Sequence, residues 1–308
     1  MDTDRPDPLP PTEARNPATQ GIDALGTLEV LRLLHAEDQV AVDAVTEVLP
    51  ELAPVVELAA ERFRRGGNVH YFGAGTSGRL GVLDASELLP TFNLEPGRVV
   101  GHVAGGTEAL VRAVENAEDS VEDGRRAAAG LGPDDVAIGL AASGSTPYVG
   151  GALEAARAAG AATVLVSSNP RAPLARFAET SIALRTGPEA VTGSTRLKAG
   201  TAQKLVLNAF STALMIAVGR TWQNLMVSVV ATNAKLRERT VRILCEATGL
   251  DREAASELLG RTRGDLKAAI VVALGGVSVE RSQELLGRHA GTVRAALDAA
   301  RTDEGQRP

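Results

Sequence analysis

The chain has 308 residues, 44% of them hydrophobic but only 3% aromatic, so it can bury a large core of Ala, Val and Leu; one α/β domain plus a smaller helical one is the natural expectation. A formal net charge of -6 without any Lys/Arg-rich block argues against nucleic acid as a partner, because neutralising phosphates needs a basic surface. Cys245 is the only cysteine, which excludes an intrachain disulfide or a site of several thiolates and suits a reducing compartment.

Residues 1–20 read as a disordered N-terminus. They lack the basic stretch and apolar run of a secretion signal, and no membrane-length apolar run follows, so a cytoplasmic protein with no membrane partner is expected. Thr27 opens an amphipathic segment that continues as a long helix through Val42, Val45, Val48, Val55 and Leu58 until Gly66 and Gly67 stop it. The pattern then alternates: strand 69–72, helix 80–87, strand 99–103, helix 108–115. Two further apolar runs, 136–140 and 163–167, read as strands flanking a helix at 147–158, and 182–184 supplies a last strand. Such repeated βα units predict a doubly wound parallel sheet with helices on both faces. Beyond Thr195 no strand pattern remains, and long helices are expected at 199–218 and 225–248. After Gly249 come three short amphipathic segments, 252–259, 265–274 and 279–286, and a tail helix at 293–300. The chain thus divides into residues 1–20, a main domain at 21–248, and a small helical bundle with its tail at 249–308, read as packing or dimer support.

Two hydroxyl-rich loops stand at predicted strand ends. Phe72-Gly73-Ala74-Gly75-Thr76-Ser77-Gly78 leaves a strand and opens a helix, so Gly75 allows close backbone approach and the helix N-terminus favours an anion such as phosphate. Its GxGxxG spelling also suggests a dinucleotide site, but the next strand ends His102-Val103-Ala104-Gly105-Gly106, without the carboxylate that binds ribose. Ala141-Ala142-Ser143-Gly144-Ser145-Thr146-Pro147 ends another strand. Two such loops at one sheet edge suit a phosphorylated polyhydroxy compound, with Gly75, Thr76, Ser77, Ser143, Gly144, Ser145 and Thr146 as binding candidates; each loop taken alone also reads as a plain βα turn. Ser143 as a nucleophile is disfavoured, since Ala141 and Ser145 stand where a nucleophile elbow has glycines. His35, His70, His102 and His289 are scattered without metal-ligand spacing, and no metal or cofactor is assigned.

Longer strings carry a resemblance. Gly73 to Gly81, Leu83-Asp84-Ala85-Ser86-Glu87, Ala113-Val114-Glu115-Asn116-Ala117-Glu118-Asp119, the loop from Ala141 to Val149, Val191-Thr192-Gly193-Ser194-Thr195-Arg196-Leu197-Lys198 through Lys204, Asn224 to Val227, Ala231-Thr232-Asn233 and the leading Thr12 to Pro17 together resemble the N-acetylmuramic acid 6-phosphate etherases. The similarity spans residues 12–300. It departs at Leu88-Leu89-Pro90, where the family has Cys-Pro-Pro, and at Thr195-Arg196-Leu197, where Ser-Arg-Met is common.

The resemblance implies an α/β fold of the sugar-isomerase (SIS) type, a doubly wound parallel sheet flanked by helices with a small C-terminal helical bundle. It implies a lyase that cleaves the lactyl ether without a metal or redox cofactor. The family's two catalytic positions fall on Glu87, the acid that protonates the departing lactate, and Glu118, the base at C2; Glu118 also reads as part of a solvated acidic face with Glu108, Glu115 and Glu122. Ser194 and Lys198 fall in another matching string as binding candidates, and equally as a helix cap and a surface charge. Two other functions stay open: a non-catalytic SIS sensor of phosphosugars, and an aldose-ketose phosphosugar isomerase. A homodimer is expected from the apolar helices after Thr201.

Overall fold

The computed structural model describes residues 9–229 and 234–304. The chain forms two compact units, residues 1–86 with 97–211, and residues 87–96 with 212–308. In the first unit, helix α1 (Thr27–Arg64) precedes strand β1 (Val69–Gly73) and helix α2 (Gly75–Phe92), which continues into the second unit. Then come β2 (Val99–Val103), a short helix α3 (Val121–Ala127), β3 (Val136–Leu140), α4 (Pro147–Ala158), β4 (Ala162–Ser167), β5 (Thr180–Ala183) and α5 (Lys198–Ala217). The five strands form one parallel sheet in the order β2-β1-β3-β4-β5. All of β3 and β4 is buried, as strands covered on both faces must be.

The pleat assigns the helices to faces. Tyr71 lies beside Gly101 and Ile138 in register and turns toward α2, where a Cβ on Gly81 would come within 2.9 Å of the Tyr71 Cβ. Phe210 of α5 packs edge-on against the same Tyr71 ring. The next pair in register, Phe72 and Gly139, faces the opposite way, and Val149 and Leu153 of α4 occupy the space a Cβ on Gly139 would need. Alternate residues of one strand therefore feed two cores, as a sheet with helices on both sides requires.

The second unit holds a short antiparallel hairpin, β6 (Thr221–Trp222) and β7 (Leu225–Met226), and helices α6 (Ala234–Thr248), α7 (Arg252–Arg261), α8 (Leu266–Gly275), α9 (Val279–Arg288) and α10 (Val293–Glu304). Side chains of Asp251, Asp265 and Ser278 cap α7, α8 and α9 by accepting the N–H three residues on. Leu244, Ile270, Val271, Ala296 and Leu297 fill its core.

Some segments differ from expectation. Residues 11–13 and 17–19 form 3-10 turns with Thr12, Asn16 and Thr19 buried, where disorder was expected for 1–20; residues 1–8 lie outside the described set. The helix expected at 108–115 is only a 3-10 turn, Gly106–Leu110, because Gly105, Gly106 and Asn116 all take left-handed backbone and Val111 has no apolar surface to cover. The hairpin at 221–226 replaces the start of the helix expected at 225–248, with Gln223 at positive φ making its turn. The matching string Ala231-Thr232-Asn233 lies outside the described residues. The boundary expected at 248/249 does not coincide with the compact units, since the second unit also takes 87–96 and everything from 212. Among the described residues no helix is long and apolar enough to cross a membrane.

Candidate active site

The strand order reverses direction between β1 and β3, and ligands of open α/β sheets collect outside the carboxyl ends of the strands at such a point. Gly73 and Leu140 are partners in register at those two ends, so the two hydroxyl loops leave the sheet side by side. The first loop is short: α2 begins at Gly75, whose φ of 52 turns the chain into the helix, and its first amides have no helical acceptor. Thr76 is half-buried beside the first turn of α5, where a Cβ on Gly200 would sit 3.5 Å from its methyl carbon. Ser77 is buried and its hydroxyl donates to Gln203 Oε1 at 2.8 Å.

The second loop is held from its own side of the sheet. Gly144, at φ 71, packs against Ala172. The Ser145 hydroxyl and amide both donate to Ser143 Oγ, at 2.9 and 3.3 Å. Asn169 Nδ2 donates to the Ser143 carbonyl at 3.0 Å, and its Oδ1 accepts the Arg171 amide. Ser143, Ser145, Asn169 and Arg171 line a cavity of about 310 Å³. Thr146 stands at the N-cap of α4 without spending its hydroxyl on the helix.

Glu118 sits on a 3-10 turn, Ala117–Asp119, which Asn116 enters with φ 58. It lines a cavity of about 290 Å³ together with Gly75, Arg79, Arg112 and Asn116. Arg79, one turn into α2, lines the same cavity and donates from Nε to the Ala109 carbonyl at 2.9 Å, which ties the Gly106–Leu110 turn to the start of α2. The structure therefore brings Glu118 and Gly75 to one cavity. Glu87 is exposed on α2, in the second compact unit, and is not among the residues lining that cavity; α2 also runs on to Phe92 rather than ending at Glu87.

Lys198 is placed differently from its expected substrate-binding role. Its side chain is 4% exposed and its Nζ pairs with Glu37 of α1, which also accepts from Asn16 Nδ2 at 2.7 Å. Its amide and that of Ala199 donate to the fully buried Glu189, which caps α5. Burial pushes the Glu189 carboxyl up, while those two amides pull it down. Thr19 donates to the Ala190 carbonyl, and Gly193 to that of Thr12. Ser194, half-buried, closes a turn by accepting from Leu197 and donating to Val191. The leading string and the string at 189–199 thus form one structural knot. A lysine committed to Glu37 has no free charge for a ligand.

Two other buried groups shape the site. Tyr71 and Ser211 both donate to Asp84, at 3.0 Å each, fixing α2 against β1 and α5. Burial pushes the Asp84 carboxyl up to about 6, against the pull of those hydrogen bonds, and holds the Tyr71 hydroxyl well above its ordinary value. Another cavity, of about 550 Å³, lies elsewhere, lined by His102, Thr107, Asp123 and Tyr148. Burial and the neighbouring His70 hold His102 down to about 4, so it stays neutral near pH 7 and stacks on Phe72 as part of the core. Asn169, Arg171, Arg79 and Gln203 were not singled out from the sequence; Arg79 and Gln203 fell within matching strings, Asn169 and Arg171 did not.

A parallel sheet with two hydroxyl loops at its switch point defines a sugar-isomerase-class phosphosugar fold. The SIS domain model matches residues 111–213, and that of the glucokinase regulatory protein N-terminal SIS domain matches residues 51–157. The N-acetylmuramic acid 6-phosphate etherase of Thermobifida fusca (strain YX) is 57% identical over 264 residues, covering 86% of this chain and 87% of that one. That of Cronobacter sakazakii (strain ATCC BAA-894) is 53% identical over 268 residues, covering 86% and 90%. The chain belongs to the N-acetylmuramic acid 6-phosphate etherase family, as the sequence strings implied. A phosphoheptose isomerase from Francisella tularensis is similar at a TM-score of 0.47 and 18% identity over 62% of this chain and 98% of that one.

Proposed function

We propose that this protein is a carbon-oxygen lyase that converts N-acetylmuramic acid 6-phosphate and water to N-acetylglucosamine 6-phosphate and D-lactate. The observation that carries the reading is the cavity shared by Glu118 and Gly75, where a carboxylate stands beside the N-terminus of α2 at the switch point. An unactivated ether resists hydrolysis. In the ring-opened sugar, the C2 proton lies next to an aldehyde and is acidic enough for a carboxylate to remove. Glu118 takes that proton, the C3–O bond breaks as Glu87 protonates the departing lactate, and water then adds at C3 of the unsaturated aldehyde with Glu87 taking its proton and Glu118 returning its own to C2. Two carboxyl groups in opposite protonation states supply all of these transfers. The phosphate is held at the neighbouring ends of β1 and β3 by the α2 amides and the hydroxyls of Thr76, Ser77, Ser143, Ser145 and Thr146, with Gly75 and Gly144 allowing close approach.

The test is to incubate purified protein with N-acetylmuramic acid 6-phosphate and measure D-lactate. Stoichiometric lactate with N-acetylglucosamine 6-phosphate is the expected result. An isomerase would return a product retaining the lactyl group, and a sensor would bind without turnover; either outcome overturns the reading. The protein is further read as a homodimer, supported by exposed Leu28, Leu31, Val42 and Leu49 along α1, and a monomeric mass in solution at active concentrations would overturn that.

A further inference from the structure

We propose that Gln203 sets the direction of the Ser77 hydroxyl proton and so acts as a positioning residue for phosphosugar binding. The inference rests on the phosphosugar reading above. It begins from counting protons. A serine hydroxyl carries one, and that of Ser77 goes to Gln203 Oε1. A phosphoryl group only accepts. With its proton spent on Gln203, Ser77 presents lone pairs to an oxyanion, which repels rather than binds it.

Gln203 is suited to reverse this. It is 1% exposed on α5, and its Nε2 is buried with no hydrogen-bond partner among the described residues, although the opposite end of the same amide holds Ser77. An amide's oxygen and nitrogen ends are nearly equal in size, so a half-turn about the terminal bond needs no new space. After the turn Nε2 donates to Ser77 Oγ, the serine proton points outward, and the hydrogen bond to phosphate is charge-assisted. Ser77 lies in the first turn of α2, the 18-residue helix whose N-terminus faces the ends of β1 and β3, so the released proton points where the field already favours an anion. The ligand supplies the acceptor that makes the turned amide the better arrangement.

The experiment compares Gln203→Glu, Gln203→Met and Ser77→Ala, following KM and kcat for lactate release from pH 5 to 8. An ionised carboxylate accepts only, so Gln203→Glu holds the serine proton inward; KM rises at least about tenfold at pH 8 and recovers toward the wild-type value as acidification makes the new group a donor. Gln203→Met raises KM several-fold at every pH, and kcat stays within about twofold in both variants because the bond is remote from C2 and C3. Combining Gln203→Met with Ser77→Ala costs no more than Ser77→Ala alone. A wild-type KM in Gln203→Glu, a rise that does not vary with pH, or additive losses in the double variant would each overturn the proposal, and the double variant decides the matter if Gln203→Glu fails to fold. Failure of the wild-type chain to release lactate would instead overturn the functional reading itself.

Discussion

The two hydroxyl loops leave neighbouring strand ends, yet they hold their protons differently. In the second loop, Ser143 Oγ accepts both the amide and the hydroxyl of Ser145, so its own proton is uncommitted and available to an anion. In the first loop, the Ser77 proton is already given to Gln203. The backbones differ too. Gly144 is wedged against Ala172, whereas a Cβ on Gly75 would meet nothing within 4 Å. The second loop is packed and hydrogen-bonded into place; the first is open at its glycine, committed at its serine, and shares its cavity with Glu118. The two loops, side by side at one edge of the sheet, are thereby held by different contacts, and each can be disturbed without the other.

The largest expected effect lies on the chemical side. Glu118→Gln keeps the size of the side chain but cannot take the C2 proton, and Glu87→Gln cannot protonate the departing lactate. A positioned acid or base contributes about 10²- to 10⁴-fold. Each variant is therefore expected to lose turnover by that order while KM and the thermal midpoint remain near the wild-type values. Both carboxyls are exposed, so neither substitution opens a cavity or strands a buried partner. Lactate release at the wild-type rate from either purified variant sinks that residue's role.

Next come two changes that test how each loop is anchored. In Gly144→Ala the new methyl would lie 2.3 Å from the Ala172 Cβ and 2.9 Å from its Cα, on backbone that cannot swing aside, and φ is 71. Left-handed strain of about 1–2 kcal/mol plus overpacking of similar size gives a loss of about 3 kcal/mol in unfolding free energy. Binding fails with it, because Ser143 and Ser145 flank the displaced residue. A thermal midpoint within a degree of the wild-type value would show that the second loop is looser than drawn. On the first loop's side, the helix is pinned by Asp84, whose carboxyl is raised from 3.8 to about 6 by burial. The folded state then binds more protons than the unfolded one between those values, so stability is lost as pH climbs from about 4 to about 6 and is level above it. The gap between the folded and unfolded carboxyl corresponds to about 3 kcal/mol. Asp84→Asn abolishes that part of the slope in denaturant titrations at pH 4 and pH 7; an unchanged slope would mean that another group carries it.

Much of this arrangement is legible in the chain. The apolar run at 136–140 and the proline opening the helix at 147 gave β3 and α4 their observed bounds, because a doubly covered strand and a Pro at N1 are local signals. The two loops were legible for the same reason. What escaped was either conformational or remote. Residues 108–115 have helical spacing of Glu108 and Glu115, but three left-handed residues around them break the chain's direction. α3 was missed although Ser120 accepts the Asp123 amide, since seven residues containing Gly124 make a faint pattern. Lys198 looked like a free cation because its partner Glu37 lies 161 residues away, and the Ser77–Gln203 bond spans 126. Side-chain pairings across such distances are fixed by how α1 and α2 pack against α5, which no local window contains.

The smallest effect expected is also the sharpest test of the contrast between the loops. Gly75 takes φ 52 at the entrance to α2, with open space where a Cβ would go. Gly75→Ala therefore adds strain alone, about 1 kcal/mol, with no steric conflict to enlarge it. Yet that open space is the wall of the cavity that also holds Glu118. A methyl group there stands where the substrate must approach the first amides of α2, so KM should rise severalfold while stability barely moves, the reverse of the balance expected for Gly144→Ala. If Gly75→Ala instead lowers stability as much as Gly144→Ala and leaves KM alone, the first loop is a packed turn like the second, and the cavity beside Glu118 is not where the sugar enters.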